Sequence, residues 1–125
     1  MYTLLLIALG GAAGTLARYG THCLARTVGE RLAFPVATLS VNLLGCFAIG
    51  YLAAAFERSE AGEAYRLMVI VGFLGGYTTF STFGWDTMQL LRDGQVMRGA
   101  IYALASNVLG IALVFAGYGL NRWRV

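Results

Sequence analysis

One apolar stretch of the chain, residues 72–86, gathers residue types that could hold a small ion. It reads GFLGGYTTFSTFGWD, in which two glycines are followed by threonine, serine and phenylalanine. Glycine costs about 1 kcal/mol in a helix interior, and β-branched threonine costs somewhat less. A helix broken at residues 75–79 would expose carbonyl groups, which suit a cation, and then N–H groups, which suit an anion. A kinked but continuous packing helix is the other interpretation.

The residues after this weak point could bind an anion that has shed its water. Phe80 and Phe83 are three residues apart and therefore share one helix face. Aromatic ring edges carry partial positive charge, and the hydroxyl groups of Ser81 and Thr82 can donate hydrogen bonds. Phenylalanine in a membrane helix ordinarily faces lipid or packs in a core, so the pairing with serine and threonine carries the hypothesis.

Other apolar runs contain isolated polar residues. Asn42 lies in the middle of one run, where its amide must bond to another helix or line a water-filled path. Tyr102 and Ser106 are four residues apart and form one helix ridge, with Asn107 beside it. This ridge is a candidate polar track, although a serine that bonds back to its own helix would give the same pattern.

Two charged residues lie at the edges of apolar runs. Arg18 follows a long uncharged run, so its side chain either stays within the membrane or extends to its edge. Asp86 follows Trp85 and is either a vestibule acid or an interfacial charge.

The composition requires that these residues be positioned by membrane helices. Of the 125 residues, 58% are hydrophobic and only 12% are charged, whereas a soluble domain has about a quarter charged. Uncharged runs cover residues 1–17, 32–56, 67–85 and 99–121, and about 20 residues suffice to cross a bilayer as helix. The sequence therefore predicts an all-α membrane protein with a single domain, residues 1–125. The predicted spans are 2–24, 32–56, 65–92 and 96–121, the third broken at 75–79.

The basic residues are spread almost evenly over the two sides of such a bundle. All of them are arginine, and the two sides would hold Arg18, Arg26, Arg31, Arg92 and Arg98 against Arg58, Arg66, Arg122 and Arg124. Because the arginine and lysine bias sets orientation, this balance fits insertion in both orientations and also fits one weakly specified orientation. The scattered charges form no stripe for nucleic acid. The chain also lacks the HExxH, nucleophile-elbow and phosphate-loop motifs of enzymes.

Three segments together resemble a known family. They are residues 11–19 (GAAGTLARY), 38–50 (TLSVNLLGCFAIG) and 72–83 (GFLGGYTTFSTF). With these motifs, essentially the whole chain resembles the Fluc, or CrcB, fluoride channels of bacteria. The resemblance implies a passive, fluoride-selective channel of the bacterial inner membrane that exports fluoride and relieves its toxicity. It also implies an antiparallel, dual-topology homodimer in the lipid, with two pores and a structural, untransported Na⁺ at the dimer centre.

The resemblance also implies roles for individual residues. The backbone carbonyls of Gly75 and Thr78 would bind Na⁺, and Phe80 and Phe83 would be the pore phenylalanines, with Asn42 as the amide beside them. The remaining residues of the fluoride pathway would be Ser81, Thr82, Tyr102, Ser106 and Asn107. Arg18 would have a structural or vestibule role.

The chain departs from the family pattern at several positions. Ala37 stands where glycine is frequent, and Asp86 stands where glutamate is expected. Alignment on Gly110 places Asn107, rather than Ser106, on the usual polar-track position and leaves Tyr102 one residue off.

Two other functions are compatible with a small four-span protein. A dual-topology multidrug or cation exporter is expected to carry an acidic residue in its first span, and residues 1–17 contain none. A structural subunit that transports nothing would use its glycine-rich faces only for packing.

Overall fold

Four long helical stretches account for almost the whole chain in the computed structural model, which describes residues 1–123. The elements are α1 (Tyr2–Leu32), α2 (Val36–Glu57), α3 (Glu63–Leu67), a π-helical segment (Met68–Leu74), α4 (Gly75–Tyr77), α5 (Phe80–Arg92) and α6 (Val96–Trp123). No strand occurs in these residues. The stretches that are long and apolar enough to cross a membrane are α1, α2, Glu63–Arg92 (hereafter the third span) and α6. The predicted all-α membrane protein with four spanning helices is confirmed.

A tight turn separates α1 from α2. Ala33 has a left-handed backbone (φ 47°, ψ 48°), and the N–H of Phe34 donates to the carbonyl of Gly29. This capping pattern is typical of a helix C-terminus, and Pro35 then prevents the helix from continuing. The first helix therefore ends at Leu32, beyond the predicted span 2–24.

Glycines bring α1 against the first half of the third span. A Cβ atom on Gly10 would overlap the carbonyl oxygen of Met68, and one on Gly14 would overlap that of Phe73. The backbones of the two helices are therefore in direct contact. Gly10 and Gly14 are four residues apart, a spacing that allows such close packing of helices.

Glycines also bring the backbones of α2 and α6 together. A Cβ atom on Gly50 would overlap the carbonyl oxygen of Val114, and one on Gly117 would overlap that of Phe47. In both places the obstacle is backbone, which cannot rotate aside as a side chain can. The bundle is thus built from two glycine-packed pairs, α1 with the third span and α2 with α6.

Few large side chains are enclosed within the subunit. Val41 and Tyr102 are fully buried, whereas Leu4, Leu16 and Phe115 are largely exposed. So much outward-facing apolar surface would be unfavourable in water but is expected of helices that contact lipid or another chain. The fold therefore needs a membrane around it.

The third span changes its backbone conformation after Tyr77. Thr78 (φ −84°, ψ 161°) and Thr79 (φ −152°, ψ 116°) are extended, and α5 begins at Phe80. Thr79 is the N-cap of α5, because its hydroxyl oxygen accepts the N–H of Thr82 at 3.1 Å. Gly75 and Gly76, which lower the helix propensity of this region, are themselves helical.

Candidate functional site

Asn42 of α2 hydrogen-bonds to both backbone groups of Thr79. The N–H of Thr79 donates to Asn42 Oδ1 at 2.8 Å, and Asn42 Nδ2 donates to the carbonyl oxygen of Thr79 at 3.0 Å. The amide therefore makes the same pair of hydrogen bonds to the extended backbone that a neighbouring strand makes in a sheet. It satisfies two polar groups that would be costly to leave unpaired away from water.

Thr78 receives similar support from α1. Arg18 Nη1 donates to the carbonyl oxygen of Thr78 at 3.1 Å. The hydroxyl and the N–H of Thr78 both donate to the carbonyl of Leu74, each at 2.9 Å. Arg18 thus lies against the extended segment, and its charge is placed beside a backbone oxygen.

A group of hydroxyls surrounds the start of α5. Thr79 Oγ1 donates to Thr82 Oγ1 at 3.0 Å, and it lies 3.2 Å from Ser81 Oγ. Ser81 and Thr82 were predicted as pathway residues because of their free hydroxyls. Here both hydroxyls contact Thr79, and neither residue lines the cavity described next.

A cavity of about 380 Å³ lies beside the extended segment. Seven of the residues selected from the sequence line it together: Asn42, Gly75, Thr78, Phe80, Phe83, Ser106 and Asn107. The other lining residues are Gly45, Cys46, Ile49, Ile70, Leu74 and Thr79. None of these residues carries a charged side chain.

Four aromatic rings form a row that starts at this cavity. The centroids of Phe80 and Phe83 are 5.4 Å apart, those of Phe83 and Tyr102 are 5.3 Å apart, and Phe34 meets Tyr102 edge-on at 5.6 Å. Tyr102 is fully buried, and its hydroxyl donates to Asp86 Oδ2 at 3.4 Å. Tyr102 therefore supports Phe83 from behind and does not line the cavity.

The two polar residues of α6 that line the cavity differ in their hydrogen bonding. Asn107 Nδ2 donates to the carbonyl of Ala103 on its own helix at 2.7 Å. Ser106 Oγ is buried and has no hydrogen-bond partner among the described residues. An unsatisfied buried hydroxyl is uncommon, and the Ser106 donor is not committed to any other group of the described residues.

The backbone near Gly75 fits a small hard cation. In a continuous helix the N–H of Thr79 would bond to the carbonyl of Gly75, but here it bonds to Asn42. Gly75 is exposed, and no atom lies within 4 Å of the position of an added Cβ. Carbonyl oxygens at the C-terminal end of a half-helix are ligands that suit Na⁺. Within residues 1–123 no cluster of His, Cys, Asp or Glu offers an alternative metal site.

Three residues of this region were not selected from the sequence. Thr79 could have been found, because threonine is a preferred N-cap and begins the run TFST. Cys46 lies in an apolar run, where a free thiol is expected to pack as a small hydrophobic residue, although here it lines the cavity. Phe34 lies in a turn, and nothing local predicts that it meets Tyr102.

The sequence of this region and its surroundings matches that of known proteins. Residues 5–118 match the family described as CrcB-like protein, Camphor Resistance (CrcB). The chain belongs to the CrcB-like family. A CrcB-like relative from Solibacter usitatus is 49% identical over 121 residues, which cover 94% of this chain and 97% of the relative. Its name is fluoride-specific ion channel FluC.

Further CrcB-like relatives have the same name. One from Thermus thermophilus is 47% identical over 119 residues, covering 94% of this chain and 93% of its own. One from Paracoccus denitrificans is 44% identical over 121 residues, covering 97% and 95%. The resemblance inferred from the three motifs is thus confirmed over nearly the full length. Together with the four spanning helices, it makes this chain a multi-pass membrane protein.

Proposed function

We propose that this CrcB-like chain forms a passive, fluoride-selective channel that exports fluoride across the bacterial inner membrane. The observation that carries the proposal is the cavity lined by Phe80, Phe83 and Ser106, which has no charged side chain among its lining residues. Conduction requires binding that is strong enough for entry and weak enough for exit. Ring edges and a hydroxyl provide such binding without a fixed cation that would trap the ion.

The start of α5 supports an anion in the same place. The first N–H groups of a helix have no partner within it, and the helix dipole places partial positive charge there. Thr79 caps the N–H of Thr82. The N–H groups of Phe80 and Ser81 precede it in the first turn, and Phe80 lines the cavity.

A passive path is sufficient for export. Hydrogen fluoride is a weak acid that crosses the membrane uncharged and dissociates in a neutral cytoplasm. The negative-inside potential then drives the anion outward by about 2.3 kcal/mol per 100 mV. Export therefore needs neither an ATP site nor a proton relay.

The functional unit in this proposal is an antiparallel homodimer with two pores, and Thr78 and Thr79 lie at the membrane midplane. Phe80 is 82% exposed in the single subunit, although its ring lines the cavity. A second copy would cover it and complete the pathway. The exposed backbone of Gly75 and the carbonyl of Thr78 would then face their symmetry mates and hold a structural Na⁺.

Reconstitution in liposomes tests the channel. Purified protein is expected to release trapped fluoride at a rate far above protein-free vesicles, while trapped chloride stays inside. If neither fluoride nor chloride is released, the result would favour a structural subunit that transports nothing. Exchange of an organic cation for protons, without fluoride efflux, would favour the multidrug exporter.

Labelling from outside the cell tests the antiparallel arrangement. Cys23 and Cys46 are replaced by serine, and Ser59, in the exposed loop between α2 and α3, is replaced by cysteine. A membrane-impermeant maleimide is expected to label about half of the molecules in intact cells if both orientations occur equally. Labelling of all or none would contradict dual topology.

A further inference from the structure

Asn42 has its amide committed to the backbone of one residue. We propose that Asn42 is a positioning residue that keeps the third span open at Thr79. The inference rests on the proposed function, because it concerns how that pathway and its cation site are maintained. The Oδ1 acceptor and one N–H of Nδ2 are engaged with Thr79 at 2.8 and 3.0 Å.

This pairing decides where the N–H of Thr79 goes. Its usual partner is the carbonyl of Gly75, four residues earlier. Asn42 Oδ1 takes that N–H, so the carbonyl of Gly75 loses its helical partner and becomes available to a cation. The same hydrogen bond therefore opens the backbone and creates one of the proposed Na⁺ ligands.

The pairing also fixes the start of α5. The carbonyl of Thr79 is held by Asn42 Nδ2, while the hydroxyl of Thr79 caps Thr82. With its backbone held on both sides, Thr79 cannot rotate into a helical conformation without breaking both bonds to Asn42. The free N–H groups at the start of α5 thus stay at the cavity.

Without the Asn42 amide, the segment around Thr79 could become helical. An unpaired N–H and an unpaired carbonyl are costly in a membrane interior, and a helix satisfies both internally. We expect the N–H of Thr79 to return to Gly75 when Asn42 is removed. The cation site would then close together with the anion path, although they use different atoms.

Two substitutions separate this role from direct contact with the ion. Asn42→Ala removes both hydrogen bonds. Asn42→Asp has the same shape and keeps an acceptor for the N–H of Thr79, but it loses the donor in its ionised form. Ser40→Ala is the matched control, because Ser40 lies on the same helix and does not line the cavity.

The first measurement is the melting midpoint of purified dimer in NaCl and in N-methyl-D-glucamine chloride at equal ionic strength. A cation that binds only the folded state raises the midpoint. Wild type, Ser40→Ala and Asn42→Asp are expected to melt at a higher temperature in Na⁺. Asn42→Ala is expected to lose this increment. The second measurement is fluoride efflux, expected to fall at least tenfold in both Asn42 variants and to change less than twofold in Ser40→Ala.

Each contrary result is distinct. If Asn42→Ala abolishes efflux but keeps the full Na⁺ increment, Asn42 acts on the ion and the inference is overturned. If Asn42→Ala cannot be purified, Asn42→Asp decides, since loss of its Na⁺ increment would show that the shared acceptor is not what frees Gly75. An absent Na⁺ increment in wild type would overturn the inference while fluoride efflux still supports the channel. Absent fluoride efflux in wild type would overturn the proposed function itself.

Discussion

Helix α2 makes two very different contacts along its length. On the side that faces α6 it has Gly50, and α6 has Gly117 on the facing side, so the backbones of the two helices are in direct contact. Toward the third span it presents Asn42, whose amide pairs with Thr79 through two hydrogen bonds. In the first contact, close packing of backbones excludes lipid. In the second contact, the Asn42 side chain provides the hydrogen bonds that water would otherwise provide. One joins regular helices, and the other maintains backbone that is not helical.

The contrast shows how a small membrane protein can combine rigidity with an open path. Close packing of glycines needs no polar atoms, so it can hold the frame anywhere in the bilayer. Extended backbone is tolerated at membrane depth only where protein or water satisfies it. Substitutions on the two faces of α2 and on their partners should therefore have different consequences, for folding in one case and for conduction in the other.

The largest effect is expected at the α2–α6 contact. Gly117→Ala places a methyl group against the carbonyl of Phe47, and overpacking of this kind costs about 1–3 kcal/mol. The melting midpoint and the yield of monodisperse protein should both fall. Gly119→Ala is the matched control, since no atom lies within 4 Å of its added Cβ. Equal stability of the two variants would show that the backbones are not in contact.

The next effect concerns conduction without loss of the fold. Phe80→Ile combined with Phe83→Ile removes two ring edges from the cavity but keeps apolar side chains there. Fluoride efflux should fall at least about tenfold, with the melting midpoint close to that of wild type. Phe115→Ile, at an exposed position of α6, should keep normal efflux. Undiminished flux in the double variant would remove the rings from the mechanism.

A smaller effect is expected at Arg18, which adds α1 to the polar region. Arg18→Gln removes the charge that donates to the carbonyl of Thr78, whereas Arg18→Lys keeps a cationic donor of similar length. Fluoride efflux should fall about tenfold in Arg18→Gln, which is the loss of about 1.4 kcal/mol, and less in Arg18→Lys. The melting midpoint of both variants serves as the folding control. Equal efflux in the two variants would exclude a role for the charge.

The smallest effect is expected at Asp86. This carboxylate accepts a hydrogen bond from Tyr102 and lies behind the row of rings. Asp86→Asn keeps an acceptor and removes a negative charge that opposes an approaching anion. Fluoride efflux should rise about twofold at low salt, and the increase should shrink at high ionic strength because salt screens the charge. An increase that is independent of salt would point to packing instead.

The four spanning helices could be predicted because the absence of charge over about 20 residues is a local property. The weak point of the third span is local as well, since glycine and threonine have poor helix propensity. The extended residues, however, are Thr78 and Thr79. Their position depends on the N-cap role of Thr79 and on partners from other helices.

The contacts of the site were harder to predict, because they join distant residues. The sequence left Asn42 with two roles, a bond to another helix or a place in the pathway, and the structure gives it a bond to another helix and a place at the cavity. No local pattern pairs residue 42 with residue 79, or Arg18 with Thr78. Ser106 and Asn107 share the cavity, so helix periodicity could not choose between them.

The central claim is that a fluoride-selective path runs through the uncharged cavity beside the extended threonines. Its most direct test is the reversal potential of the reconstituted protein in a planar bilayer with fluoride on one side and chloride on the other. A current that reverses only at strongly displaced voltages, as expected when fluoride alone is permeant, is the predicted result. A reversal potential near zero, which requires that chloride permeate as readily as fluoride, would contradict the account.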